Sequence, residues 1–358
     1  MIFSAAYKAF SPAMPYVKRA EEDEKPRNKP MLHRRSAMLA SLLLPGIARA
    51  QGDTAEWRPT QPMRIVAPAA PGGTTDIMAR MLAQHLQSRF GINAVADNRS
   101  GGGGTIGTMD VLRAPADGLT LLSGNIGPQA IAYSLFRNLQ YRPESLAPVG
   151  NMIRGPNALL LHPSIPARTV PEFVAHLKAN PGKLAYGSSG VGQSPHLSGV
   201  WFCQLTGTEA THVPFRGAGP LMMDLVAGNI QFSFDNLTTS VQQIRSGQVR
   251  ALAVTSADRN AQLPELPPLR ETMAELANYE VNTWFGMFAH GNTPPAAIAV
   301  LNREINSFLN MPETRARFAQ MGGVPMPGSP GDFSAFVQAE IAKWRGVIQR
   351  EGLQMDIS

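Results

Sequence analysis

From Met63 onward, short apolar runs alternate with longer stretches in which apolar residues recur every three or four positions. The first pattern reads as buried strands and the second as amphipathic helices. Predicted strands fall at Arg64–Ala67, Ala94–Asp97, Thr120–Ser123, Ala158–His162, Leu184–Gly187, His212–Phe215, Ile230–Phe234 and Arg250–Thr255. Predicted helices cover Asp76–Arg89, Ile106–Arg113, Pro171–Ala179, Pro195–Leu205, Pro220–Ala227, Val241–Ser246, Pro295–Leu309 and Pro330–Arg350. Strand followed by helix, over and over, is the signature of α/β architecture. Thr169 and Glu172 have capping-box spacing, with Pro171 early in the helix. No solenoid period is visible.

The first 50 residues do not share this pattern. Residues 1–30 are polar and charged without periodicity, which predicts disorder. Met31-Leu32-His33-Arg34-Arg35, the apolar run Ala37–Leu44 and Ala48-Arg49-Ala50 then follow in the order of a secretory signal peptide. The expected cut lies after Ala50, and Met31 can be the true start. Arg34-Arg35 leaves both the general secretory and the twin-arginine routes open, and Gln51–Gln61 reads as a loose mature N-terminus. The expected location is therefore the periplasm.

Charge follows the same division. The chain carries a formal +6, but residues 1–50 hold 9 Lys/Arg and 4 Asp/Glu, leaving 23 and 22 for the rest. A near-neutral body removes the main support for nucleic-acid binding. No stretch beyond residue 50 approaches the ~18 consecutive apolar residues of a membrane span. Cys203 is the only cysteine, so an intrachain disulfide or multi-cysteine metal site is excluded. The seven histidines lack metal-ligand spacing, and no metal or cofactor is expected.

Chemistry gathers at two strand-to-helix turns. In Met63–Arg80 an apolar strand stops at Pro71-Gly72-Gly73-Thr74-Thr75, and a helical pattern starts at once. A hydroxyl at that junction can cap the helix, and the remaining N–H groups make an anion site. Tyr186–His196 repeats the logic, with Ser188, Ser189, Gln193 and Ser194 leading into Pro195. Thr74, Thr75, Ser188, Ser189, Gln193 and Ser194 are the expected ligand contacts. Asp76 would repel a carboxylate, so it is expected to bond the loop's own N–H groups, or a ligand amine or hydroxyl. Asn125 and Asp235 are further candidates at strand ends. Asp235 can also be a structural cap.

Three other readings compete. Gly102, Gly104 and Gly107 have dinucleotide-fingerprint spacing, but they follow the second strand and no acidic residue ends a strand about 20 residues on. A tight strand-to-helix turn next to a ligand or another backbone is the better reading. Ser189, His196 and Asp235 offer a secreted serine hydrolase, although Gly187–Val191 lacks the last glycine of a nucleophile elbow. A receptor for an uncharged, apolar or aromatic ligand is the third. Trp284 and Phe285 read as core, and Arg216 as either an acid's partner or a solvated cation.

The set of stretches resembles the Bug-type periplasmic solute receptors of tripartite tricarboxylate transporters. The likeness rests on IVAPAAPGGTTDIMAR, Asn98–Gly103 running to Gly107, Ala114–Gly118, Asn180–Leu184, Gly187–Leu197, His212–Phe215, Phe234–Asn236 and Arg250–Thr255. It runs from about Met63 to the C-terminus. The resemblance implies an α/β, two-lobed periplasmic binding protein of type II-like form, with no catalytic residues and a ligand cleft between lobes on a two-segment hinge. Lobe 1 would comprise 51–155 and 253–358, and lobe 2 residues 156–252, with crossings near Asn151–Leu159 and Ala251–Ser256. It implies a monomer that binds a small di- or tricarboxylate or related acid between Pro71–Asp76 and Ser188–Ser194. The partner would be inner-membrane transporter subunits, or a sensor in some relatives. Thr74 stands where many relatives carry a third glycine, and Ala69-Ala70 where the turn is often bulkier, so ligand identity stays open.

Overall fold

The computed structural model describes residues 56–357. The expected leader and signal segment, and the start of the loose N-terminus, lie outside the described residues. In chain order come β1 (Met63–Ala67), α1 (Thr74–Phe90), β2 (Ala94–Asn98), α2 (Thr105–Leu112), β3 (Thr120–Asn125) and α3 (Ala132–Leu135). Next are β4 (Leu146–Leu161), α4 (Val170–Ala179), β5 (Ala185–Ser188), α5 (Ser194–Thr206), β6 (Thr211–Pro214), α6 (Ala218–Ala227) and β7 (Phe232–Asn236). The chain continues with α7 (Leu237–Arg245), β8 (Arg250–Val254), β9 (Asn282–His290), α8 (Pro295–Asn310), α9 (Pro312–Gln320), β10 (Val324–Pro325) and α10 (Pro330–Glu351). Among the described residues, no helix is long and apolar enough to cross a membrane.

Two sheets share one strand. In the first, β1 lies parallel between β2 and β3, and β9 runs antiparallel between β3 and β4. In the second, β7 and β8 flank β4 antiparallel, and β5 lies parallel between β6 and β7. Leu146–Pro156 of β4 pair with β9, whereas Asn157–Leu161 pair with β7 and β8. One continuous strand therefore passes from lobe to lobe near Pro156. Its first half escapes a strand reading of the sequence because Pro148, Gly150 and Pro156 interrupt it. The register slips at Pro148/Gly150 and again at Asn151/Ile153, which is where bulges accommodate such residues.

β9 was also unread, for the opposite reason. Both of its faces are buried over Thr283–Ala289, so Trp284–Ala289 is an unbroken apolar run without alternation. Trp284 and Phe288 join the core under α10, while Phe285 and Met287 join the core under α1 and α8. The second lobe buries Phe173, Phe202 and Phe234 on one face of its sheet and Leu221, Leu237 and Val241 on the other.

The expected return crossing lies near Ala251–Ser256. The chain leaves the second sheet at Val254 but enters the first only at Asn282. Residues between them pack on α5: Tyr279 stacks on Trp201 with centroids 4.9 Å apart, and its hydroxyl donates to the Ser198 carbonyl at 2.8 Å. Thr255 pins the crossing by donating through Oγ1 to the Val281 carbonyl at 2.6 Å, while its N–H reaches the Asn157 carbonyl at 2.9 Å. The segment 255–281 touches both sides: Leu269, Leu276 and Tyr279 are buried, and Asn260 donates to the Gly322 carbonyl at 2.8 Å.

Candidate functional site

Four helices begin at one small cavity. Their cap residues, Gly73 of α1, Gln193 of α5, Gly217 of α6 and Asn236 of α7, all border it. In none of the four does the cap side chain accept from the helix's first N–H groups. The two glycines have no side chain to offer, and the Gln193 amide donates instead to the Gly103 carbonyl at 2.8 Å. The sequence predicted a hydroxyl cap on α1; Thr74 Oγ1 instead meets Thr238 Oγ1 at 2.5 Å, joining the start of α1 to that of α7. Uncapped first turns leave N–H donors and the positive ends of the helix dipoles available to an anion.

Thr74, Thr75, Asn125, Ser189, Gln193 and Ser194, six of the nine sequence candidates, border this cavity together. No Lys or Arg does. The supports are polar and buried. Ser123 Oγ donates to the Thr75 carbonyl at 2.8 Å, and Asn125 Oδ1 accepts the Gly127 N–H at 2.9 Å. Gln129 links the Asn125 N–H (2.8 Å) to Thr108 Oγ1 (3.0 Å). Enclosed space is about 20 Å3, room for about one water-sized group.

The other three candidates are not on its wall. Asp76 is buried behind the first turn, where Oδ2 accepts the Gly72 N–H at 3.0 Å and Oδ1 meets Arg80 Nε at 2.9 Å. Arg80 also reaches Asn98 Oδ1 at 3.1 Å, and Asn98 donates to the Ala69 carbonyl at 3.0 Å, so one network fixes the turn. Burial pushes the Asp76 carboxyl up, but the Arg80, Gly72 and Asn98 hydrogen bonds outweigh it and hold the group below the usual Asp value. Asp76→Asn is therefore expected to cost about 1–2 kcal/mol at neutral pH, kept low because Arg80 is largely solvated. A depressed carboxyl contributes stability above its unfolded-state value and loses it as pH falls through the folded one. Denaturant titrations of the two proteins should therefore converge in acid.

Ser188 is fully buried, with Oγ 2.7 Å from His212 Nε2 and 3.3 Å from the Gly190 N–H. Asp235 is fully buried on β7, and its Oδ2 accepts from Thr239 Oγ1 at 3.2 Å. Burial pushes its carboxyl up to about 7. The folded state then holds a proton that the unfolded chain has released, so stability falls as pH rises from about 4 to 7. His196 and His212, pushed by burial down to about 3 and about 4, act in the opposite sense over that window. The difference between the wild type and Asp235→Asn isolates the carboxyl. Over that range the variant should gain on the order of 4 kcal/mol relative to the wild type, as read by unfolding at each pH.

The hydrolase constellation is not assembled. Among the described residues no hydrogen bond joins Ser189 to His196 or His196 to Asp235; His196 Nδ1 accepts the Gly192 N–H at 3.2 Å and its ring stacks on His212 at 4.3 Å.

Wall residues that the sequence reading passed over include Gly217, Ala218, Asn236, Thr283 and Phe285. Gly217 and Asn236 each stand between a predicted strand and helix, the same signal that marked the first two turns. Phe285 is indeed buried core, but it also closes the cavity.

With this geometry in view, the relatives are informative. Residues 78–353 match the model of the tripartite tricarboxylate transporter family receptor. Protein BugT of Bordetella pertussis is 35% identical over 306 residues, which span 84% of this chain and 93% of BugT. The structure of R. palustris Rpa4515 with adipate is similar at 36% identity and a TM-score of 0.79, covering 82% of this chain and 98% of that one. MatC (Rpa3494) from Rhodopseudomonas palustris with bound malate is similar at 30% identity and a TM-score of 0.77, covering 81% and 100%. The two sheets sharing β4 are thus the two lobes of a periplasmic binding fold. The chain belongs to the tripartite tricarboxylate transporter receptor family, whose members are periplasmic solute-binding proteins.

Proposed function

We propose that this protein captures a small organic acid in the periplasm, binding a carboxylate among the first turns of α1, α5, α6 and α7, and delivers it to the membrane subunits of a tripartite tricarboxylate-type transporter. The convergence of four uncapped helix starts on one cavity without Lys or Arg carries this reading. Charge-assisted N–H bonds are the stronger kind, and each helix end adds about 0.3–1 kcal/mol for a nearby anion. The adipate and malate held by two relatives are acids of the kind such a clamp suits.

Binding then couples to closure. Three contacts join the walls: Thr74 to Thr238, the Ala70 N–H to the Arg216 carbonyl at 2.7 Å, and Gln193 to Gly103. Rotation about β4 and the 255–281 segment opens these contacts and admits the acid. Reclosing excludes water and strengthens the N–H bonds in the drier site. The protein acts by binding, not turnover.

Thermal unfolding in the presence of an acid panel tests the reading. At 100-fold excess over Kd, a ligand stabilises by about 2.7 kcal/mol, which raises Tm by several degrees. Matched primary amides should do nothing. Equal stabilisation by amides and acids would overturn the carboxylate clamp.

A further inference from the structure

Ser189, Gln193 and Ser194 reach the helix-start cavity from one short loop, and that loop holds two glycines at positive φ, Gly190 at +138° and Gly192 at +78°. Glycines lose more conformational freedom on ordering than other residues, so the loop's shape has to be held by something outside it. Two imidazoles hold it from behind. His212, on β6, lies with Nε2 2.7 Å from Ser188 Oγ, and that oxygen accepts the Gly190 N–H at 3.3 Å. His196, in the first turn of α5, accepts the Gly192 N–H at Nδ1, 3.2 Å away. The two rings stack with centroids 4.3 Å apart, and Tyr186 stacks on His212 at 4.8 Å. Neither histidine borders the cavity.

His196 is the third residue of α5, the place where a capping box carries Glu or Gln to accept a backbone N–H ahead of the helix. A glutamate there would set a negative charge beside the first-turn N–H groups and repel an incoming acid. An imidazole supplies the acceptor without the charge. Burial holds both rings neutral, pushing His196 down to about 3, with His212 adding to the effect, and His212 down to about 4. We infer that His196 and His212 are positioning residues for acid binding. His196 directly, and His212 through Ser188, each hold one glycine N–H of the loop by a single ring nitrogen. They thereby set where Ser189, Gln193 and Ser194 stand before the ligand arrives, and neither ring touches the acid. This rests on the carboxylate clamp proposed above and names what preorganises one of its walls.

Amide isosteres test the inference, because Asn places a polar atom where His carries Nδ1 and Gln places one where it carries Nε2. His196→Asn and His212→Gln keep the bracing atom. His196→Gln and His212→Asn lose the ring just the same but put the amide at the wrong place. Stacking is lost equally within each pair, so a merely structural role predicts equal effects. Calorimetric titration with malate and with adipate should find affinity kept within about twofold in His196→Asn and His212→Gln, and weakened about three- to tenfold in His196→Gln and His212→Asn, the effect of one neutral hydrogen bond. Amide hydrogen exchange of the unliganded protein should speed at Gly192 in His196→Gln but not in His196→Asn, and at Gly190 in His212→Asn but not in His212→Gln. Equal affinity and equal exchange within a pair would overturn that histidine's role and leave the clamp standing. If neither acid binds the wild type, the clamp fails, and exchange alone decides the brace: matched rates within both pairs overturn it.

Discussion

Gly103→Val is expected to weaken acid binding at least about 100-fold while the protein still folds. A Cβ built on Gly103 lies 2.2 Å from the Val191 carbonyl oxygen, and Gly103 sits at φ +61°. Its neighbour is backbone, so no side chain can swing aside. The two segments belong to opposite walls of the cleft, and the simplest relief is to hold those walls apart. A closed state penalised by about 3 kcal/mol loses about 150-fold in affinity when only that state binds. Within its own loop the valine adds backbone strain of about 1–3 kcal/mol. Gly182→Val supplies the control: φ is +68° there, but nothing lies within 4 Å of the new Cβ. It should show comparable backbone strain and unchanged affinity. Calorimetric titration with any acid that stabilises the wild type reads both.

Ser194→Asp should abolish acid binding and leave the unliganded protein as stable as before, or slightly more so. Ser194 is the first residue of α5, 1% exposed, and borders the helix-start cavity. A carboxylate there occupies the N–H donors itself and repels a second anion. Two unit charges about 4 Å apart repel by roughly 1 kcal/mol in water and 4 kcal/mol at an effective dielectric of 20. Together with donor competition, that gives a loss of at least about 100-fold. The same charge favours the helix start by about 0.3–1 kcal/mol. Binding and stability should therefore move in opposite directions, which misfolding cannot mimic. Ser194→Asn, similar in size and uncharged, should lose far less affinity.

The ease of reading each part followed from locality. The turns before α1 and α5 were legible because each announces itself within a dozen residues: apolar strand, Gly or Ser loop, helical period. Asp76 was also read in the right environment, since a carboxylate at that position is more useful to its own loop than to an anion. The starts of α6 and α7 carry the same local signal in Gly217 and Asn236, but only the sheet order brings them to the cavity. Strand β5 has to lie between β6 and β7 for those turns to meet. Long-range pairing of this kind leaves no periodic trace. Asp235 carries two readings in the sequence, ligand contact and structural cap, and on β7 it is buried and accepts from Thr239. The Thr74 hydroxyl meets that of Thr238, 164 residues away, a pairing that no local pattern signals.

Backbone N–H groups at four helix starts are proposed to hold the ligand's carboxylate. Amide-resolved NMR on titration with a stabilising acid tests it most directly. The Thr74, Thr75, Ser194, Ala218 and Leu237 N–H resonances should shift downfield saturably, and not when the matched amide is titrated. Unmoved amides at those positions, with the perturbation centred instead on arginine side chains or another surface, would contradict it.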